Sequence, residues 1–187
     1  MKSLRLLVTA GLAGALALGG TAAHAATAPK ADPITSTVAQ LLAASPVDRL
    51  FLGRSHQGNL FEVSSGGMAT SKGSCPTVRL LGARLETEHK LLDSKLLPVA
   101  SRERVELPDR PDTPEQRTLR LLSARSGVHF DRVWIPAQIA FHEKELALIN
   151  QALQSGTREV QDLARAALPT ATKHLELAKT AQRECTG

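Results

Sequence analysis

From residue 45 onward, apolar residues recur at spacings of three and four, and no stretch sustains the alternation that a half-buried strand requires. The chain is therefore expected to be helical throughout. Ser45-Pro46-Val47-Asp48 announces the first long helix, with serine at the cap, proline at the first helical position and an acid in the first turn. It is expected to run to Ser71, with Gly66-Gly67 weakening its last turns. A second long helix begins after Ser74-Cys75-Pro76 and runs to about Leu97, placing Val78, Leu81, Leu85, Leu92 and Leu96 on one stripe. The third starts near Ser126-Gly127 and reaches Leu153, and the fourth covers Thr157 to Arg183. Pro136 and Pro169 fall inside these last two and are expected to kink them or delay their starts. Ala26 to Pro33 reads as a polar lead-in, and a short amphipathic segment fits Ile34 to Ala44.

The connections decide the topology. Two are tight, but a long connection, 98–126, separates the second long helix from the third. It holds an extended piece, Leu107-Pro108-Asp109-Arg110-Pro111. Thr113-Pro114-Glu115-Gln116 follows and reads as a capping box opening a short helix with Leu119 and Leu122 on one face. An extended arm plus a helix of that size spans roughly 35 Å, the length of a bundle. The expected fold is all-α, a ferritin-like four-helix bundle over residues 45–185 whose long crossover contains the short helix. The two cysteines, Cys75 and Cys185, bear on the same point. A crossover brings the start of the second helix and the end of the fourth to one end, whereas an up-down-up-down bundle puts them at opposite ends. A disulfide needs Cα atoms about 4.4–6.8 Å apart, so the pairing and the crossover require each other.

Composition and the first residues narrow the setting. Lys2 and Arg5 precede an apolar run, Leu6 to Leu18, which closes on Ala23-His24-Ala25. This is the pattern of a signal peptide spanning residues 1–25, so the protein is expected to be exported: secreted, periplasmic or associated with the cell envelope. The apolar run is short and glycine-rich against a span of about 20 residues, and no second one follows, so the mature chain is expected to have no transmembrane segment. Without Lys2 and Arg5, 21 basic side chains face 18 acidic ones, and the net charge falls from +5 to about +3. With four Phe, one Trp and no Tyr, aromatic platforms interleaved with basic residues are missing, and nucleic acid is not an expected partner. The sequence names no protein partner.

Against this background the histidines stand out. In Leu85-Glu86-Thr87-Glu88-His89-Lys90-Leu91-Leu92, His89 continues the apolar stripe of the second helix. His142 continues Ile135, Ile139, Leu146 and Ile149; His174 continues Ala171, Ala178 and Ala181; His56 sits with Leu52 and Val63. Measured from the disulfide end at about 1.5 Å per residue, all four lie roughly 16–22 Å deep. Neutral imidazole is a good ligand for zinc, copper or iron, and bundles assemble such sites from facing helices. The candidate metal ligands are His89, His142, His174 and His56, with Glu86 at the Glu-x-x-His spacing. A dinuclear carboxylate site needs a second such pair and two more glutamates. Position 171 is alanine and Glu62 lies nearly two turns from His56, so a di-iron centre is not expected. The competing reading is a buried polar layer in which the histidines bond to one another and to Asn59, Gln57, Gln138 or Glu86.

Catalytic signatures are missing. His142-Glu143-Lys144-Glu145-Leu146 is not His-Glu-x-x-His, and there is no Gly-x-Ser-x-Gly, phosphate-binding loop or Cys-x-x-Cys. No catalytic residue is expected, and an enzyme is the least supported class. Asp131 reads as an acid favouring a helix N-terminus.

Phe51-Leu52, His56-Gln57-Gly58-Asn59-Leu60, Glu62, Leu81-Gly82-Ala83-Arg84, Glu88-His89, Leu122-Ser123, Ser126-Gly127, Phe130-Asp131-Arg132, Gln138 with His142, Ser155-Gly156 and Pro169 with His174-Leu175 occur in this order. Together they resemble domain-of-unknown-function family 4142, a bacterial exported family of ferritin-like fold whose members are often described as outer membrane proteins. The resemblance covers Asp48 to Gln182. It departs from the family pattern at Glu88-His89, usually Asp-His, and at Pro136. It implies the bundle fold and export, and no activity. Two functions follow as expectations: an exported metal-binding bundle in envelope metal handling or stress protection, or a non-catalytic envelope protein whose histidines form a buried polar layer.

Overall fold

The structure, a computed structural model, describes residues 44–186. The expected signal peptide and nearly all of the Ile34–Ala44 segment lie outside the described residues. Five helices, and among the described residues no strand, make up the fold: α1 Pro46–Lys72, α2 Pro76–Arg102, α3 Thr113–Ser123, α4 Gly127–Ser155 and α5 Arg158–Cys185.

The local signals operate largely as expected. Ser45 Oγ accepts from Asp48 N at 3.1 Å and caps α1. The capping box of α3 is shifted by one residue from the expected Thr113–Gln116. Asp112 Oδ1 accepts from Glu115 N at 2.9 Å, and Glu115 Oε2 accepts from Asp112 N at 2.8 Å. Two carboxylates make a better box than a hydroxyl and an amide, because negative charge is favoured at a helix N-terminus. The prolines do not interrupt their helices: α2 passes through Pro98, α4 through Pro136 and α5 through Pro169. Each proline lies on an exposed face, as does the residue four earlier, Ser94, Arg132 or Arg165. Water can thus reach the carbonyl whose hydrogen bond the ring removes.

Gly66-Gly67 does not weaken α1 either. A Cβ on Gly66 would lie 2.6 Å from Gly82 O and 2.9 Å from Glu86 N, so these glycines let the backbone of α2 cross directly against α1. α1 packs on α2, α4 on α5, α1 on α4 and α2 on α5, while α3 lies across α1 and α4. This is a four-helix bundle with the long crossover, and every neighbouring pair runs antiparallel. The crossover puts Cys75 and Cys185 together in a disulfide with Cα atoms 5.9 Å apart.

Two acids hold the ends. Asp48 Oδ1 accepts from Thr157 N at 2.9 Å, joining α1 to the start of α5. Asp131 Oδ2 accepts from Cys75 N at 2.9 Å and from Ser74 Oγ at 2.5 Å, so this acid of α4 caps α2 rather than only its own helix. The core is in two parts. One apolar cluster gathers around Phe51, Leu52, Leu96 and Ile149, the other around Leu85, Phe130, Trp134 and Ile135. A slab of buried polar side chains lies between them.

Candidate metal centre

His89 from α2, His142 from α4 and His174 from α5 are fully buried in that slab. Their ring centroids are 5.9 Å apart for His89 and His142, and 5.2 Å apart for each of the other two pairs. One nitrogen of each ring lies within 4.8 Å of those of the other two.

The hydrogen bonds fix which nitrogen is available on each ring. His89 Nδ1 is 2.9 Å from Asn59 Oδ1, and Asn59 Nδ2 donates to Asp93 Oδ1 at 3.1 Å. The amide is therefore oriented with its oxygen toward His89, which must donate from Nδ1. His142 Nδ1 donates to the Gln138 carbonyl oxygen at 2.9 Å. His174 Nε2 donates to Glu88 Oε2 at 2.7 Å. Each ring thus spends its proton on an oxygen outside the triad. The remaining nitrogens, His89 Nε2, His142 Nε2 and His174 Nδ1, have no hydrogen-bond partner. Metal-ligating histidines show this arrangement, in which an outer carboxylate or carbonyl sets the tautomer and the other nitrogen presents its lone pair.

Electrostatics keeps the rings neutral. Burial pushes His142 down to about 3, even though its bond to the Gln138 carbonyl works the other way. Burial also holds His89 well below the usual imidazole range, and the two neighbouring rings add to the effect. For His174, burial lowers the pKa and the Glu88 carboxylate opposes it. Phe141 closes the layer beside α4, edge-on to His142 at 5.2 Å; a Cβ on Gly58 would lie 2.7 Å from its ring.

Two buried carboxyl groups adjoin the triad. Glu145 Oε2 lies 3.8 Å from His142 Nε2 and has no hydrogen-bond partner. Burial raises the Glu145 pKa to about 8. Glu62 is raised well above its usual range, first by burial and then by Glu145, against hydrogen bonds from Gln138 and Ser65. With the amide of Gln138 oriented to suit its neighbours, its nitrogen donates to both Glu62 oxygens, at 3.0 and 2.8 Å, and its oxygen accepts from Ser65 Oγ at 3.1 Å.

Two of the residues expected at the site stand elsewhere. His56 is about one turn from the layer, and its Nδ1 donates to Asp93 Oδ1 at 2.7 Å; Asn59 occupies the height expected for His56. Glu86 is carried outward where α2 crosses the glycines of α1. Its Oε2 would lie 3.4 Å from a Cβ on Gly67, and its Oε1 accepts from Lys90 Nζ at 2.6 Å. The Glu-x-x-His pair is thereby split, and the dinuclear pattern lacks its first element. Gln57 also leaves the layer, donating to Arg110 O at 3.3 Å in the crossover. Sequence reasoning misses Glu88, Asp93 and Glu145 as members of the site. Glu145 has a usable signal, lying three residues after His142 and so on the same helix face.

Three neutral imidazoles gathered this closely, each with a nitrogen free to bind, fit a mononuclear site for a borderline transition metal. Tetrahedral Zn–N bonds of about 2.0–2.1 Å place ligand nitrogens about 3.3 Å apart, so a modest contraction of the triad would close it.

Comparison with known proteins agrees with the fold and adds no activity. No curated protein matches the chain. The structure is similar to the crystal structure of a DUF305 fragment from Deinococcus radiodurans, with 18% identity and a TM-score of 0.65, covering 75% of this chain and 99% of that one. That likeness concerns the fold alone. The family described as "Domain of unknown function (DUF4142)" matches residues 34–181, and the chain belongs to that family.

Proposed function

We propose that this protein is an exported helical bundle that binds one transition-metal ion through His89, His142 and His174, and that it serves metal handling or stress protection in the cell envelope. The observation that carries the proposal is the gathering of three buried, neutral imidazoles, with one nitrogen of each within 4.8 Å of the others and one nitrogen of each without a partner. A polar layer kept only for register accounts for the bonds to Asn59 and Gln138, but in such a layer the second nitrogen of each ring would be paired as well. A buried acceptor left unpaired costs about 1–3 kcal/mol, so three of them in one place form a site that an ion would relieve. Export is supported by the signal-like first residues and by the disulfide, which suits an oxidising compartment. No helix among the described residues is long and apolar enough to cross a membrane.

The test is elemental analysis of protein purified without an affinity tag, before and after chelation, with competition titrations against Zn2+, Cu2+ and Fe2+. Near-stoichiometric binding that is lost in His89→Ala and His142→Ala supports the proposal. Trace occupancy in the parent protein, together with a His89→Leu variant that is more stable than the parent, would favour the polar-layer reading.

A further inference from the structure

We infer that the Glu145 carboxylate is the fourth ligand of this site, closing a three-histidine, one-carboxylate coordination sphere. The inference rests on the three-histidine reading and deepens it. Glu145 follows His142 by one helical turn on the same face of α4, and its Oε2 lies 3.8 Å from His142 Nε2. Among the described residues, the buried side-chain atoms without a hydrogen-bond partner are the three imidazole nitrogens and this one oxygen. Three orphaned imidazole nitrogens, with one orphaned carboxylate oxygen beside His142, match a tetrahedral ligand set in number and chemistry.

The surroundings favour Glu145 over the other carboxylates. Glu62 already accepts from Gln138 with both oxygens. Glu88 is engaged by His174 on the outer side of the ring, where a ligand's supporting partner belongs. Glu145 also borders a cavity of about 20 Å³ to which all four long helices contribute, including Ser55, Leu96, Ile149 and Ala167. The space beside it, lined by Asn59, Ser55 and apolar side chains rather than by the histidines, leaves the carboxylate unclamped by close packing. A site with four protein ligands is closed, which suits holding a metal rather than presenting an open position to a substrate.

Two measurements test this. In the first, the Co2+-loaded parent protein should show the intense visible absorption of a four-coordinate ion. In the second, Glu145→Gln, which keeps the volume of the side chain, should weaken Zn2+ binding more than about 100-fold in competition with a chromophoric chelator. That exceeds the 10–100-fold typical of losing a supporting partner. Weak, six-coordinate Co2+ absorption in the parent overturns the inference without any variant. So does a Glu145→Gln protein that binds Zn2+ within about threefold of the parent with an unchanged Co2+ spectrum; the three-histidine reading survives both outcomes. Parent-like Zn2+ affinity in His89→Ala and His142→Ala sinks that reading itself, whatever Glu145 does.

Discussion

The two helical hairpins, α1–α2 and α4–α5, repeat one another at their ends and differ in their middles. At one constant offset along the chain, Asp48 answers Asp131, Phe51-Leu52 answers Trp134-Ile135, Glu62 answers Glu145, Ala69 answers Ala152 and Gly73 answers Gly156. The contacts repeat as well. A Cβ on Gly73 would meet Ala69 O, Val78 Cγ1 and Asp131 Oδ1 at 2.8, 2.8 and 3.2 Å. One on Gly156 would meet Ala152 O, Val160 Cγ1 and Asp48 Oδ1 at 2.7, 3.0 and 3.2 Å. Each hairpin therefore turns against the acid of the other. In the middle the repetition fails. Asn59 stands where the other hairpin has His142, and in the register that pairs Val78 with Val160, Ala171 stands opposite His89. The frame is built from positions that repeat, Glu62 and Glu145 among them, and the three histidines stand at positions that do not.

The largest expected effect comes from breaking the disulfide that cross-links the halves. Cys75–Cys185 joins α2 to the end of α5 across 110 residues, whereas at the opposite end α2 and α5 are joined by an exposed ion pair, Arg102 Nε to Glu159 Oε2 at 2.9 Å. Replacing both cysteines by serine is expected to lower unfolding stability by about 4–5 kcal/mol on the loop-entropy estimate. Arg102→Ala should cost at most about 1 kcal/mol, as exposed pairs do. Urea denaturation of both variants measures the asymmetry, and equal losses would show that the ends are equivalent after all.

Next in size is the middle. His142→Leu removes a lone pair and is expected to weaken Zn2+ binding by more than about 100-fold. Asn59→Ala only loosens His89 and should cost about 10–100-fold. If the two variants lose affinity equally, Asn59 does more than orient a ring.

The caps come third. Asp131 holds Ser74 Oγ and the backbone N–H of Cys75, and Asp48 holds Ser45 Oγ at 2.7 Å and the backbone N–H of Thr157. Both acids are buried, and hydrogen bonds to charged groups are worth about 1.5–3 kcal/mol. Asp131→Ala and Asp48→Ala are each expected to cost about 2–3 kcal/mol in thermal or chemical unfolding. The former should be the more damaging, because Asp131 also lies 3.3 Å from Ser74 N through its second oxygen.

The fold is legible because it is written in local signals: Ser45-Pro46, Cys75-Pro76 and Gly156 mark helix ends, and the crossover length with the two cysteines sets the topology. Half of the site is legible for the same reason, since His89, His142 and His174 break apolar stripes. What the sequence does not show is the rotation of one helix against another. The Gly66–Gly82 contact draws α2 onto α1 and turns Glu86 outward, and no periodicity reports that close approach. Depth counted along a helix is uncertain by a turn when the helix ends are uncertain by a few residues, and that turn separates His56 from Asn59. Glu145 lies inside the stretch that fails as a protease motif, which hides it, although the repeat that pairs it with Glu62 is present in the sequence.

The smallest expected effect sharpens that one-turn distinction. His56 touches the site only at third hand, through Asp93, whose Oδ1 accepts from both His56 Nδ1 and Asn59 Nδ2. Removing the ring leaves the Asn59 amide still anchored to Asp93 and its oxygen still turned to His89. His56→Gln is therefore expected to change Zn2+ affinity less than about threefold, well under the cost of losing a direct supporting partner. Its stability cost should be about 1–2 kcal/mol, that of one hydrogen bond to a carboxylate mostly shielded from solvent. The same Zn2+ competition assay that ranks His142 and Asn59 decides it. A loss of more than tenfold would mean that α1 sits about a turn away from where the geometry has it, with His56 rather than Asn59 in the layer.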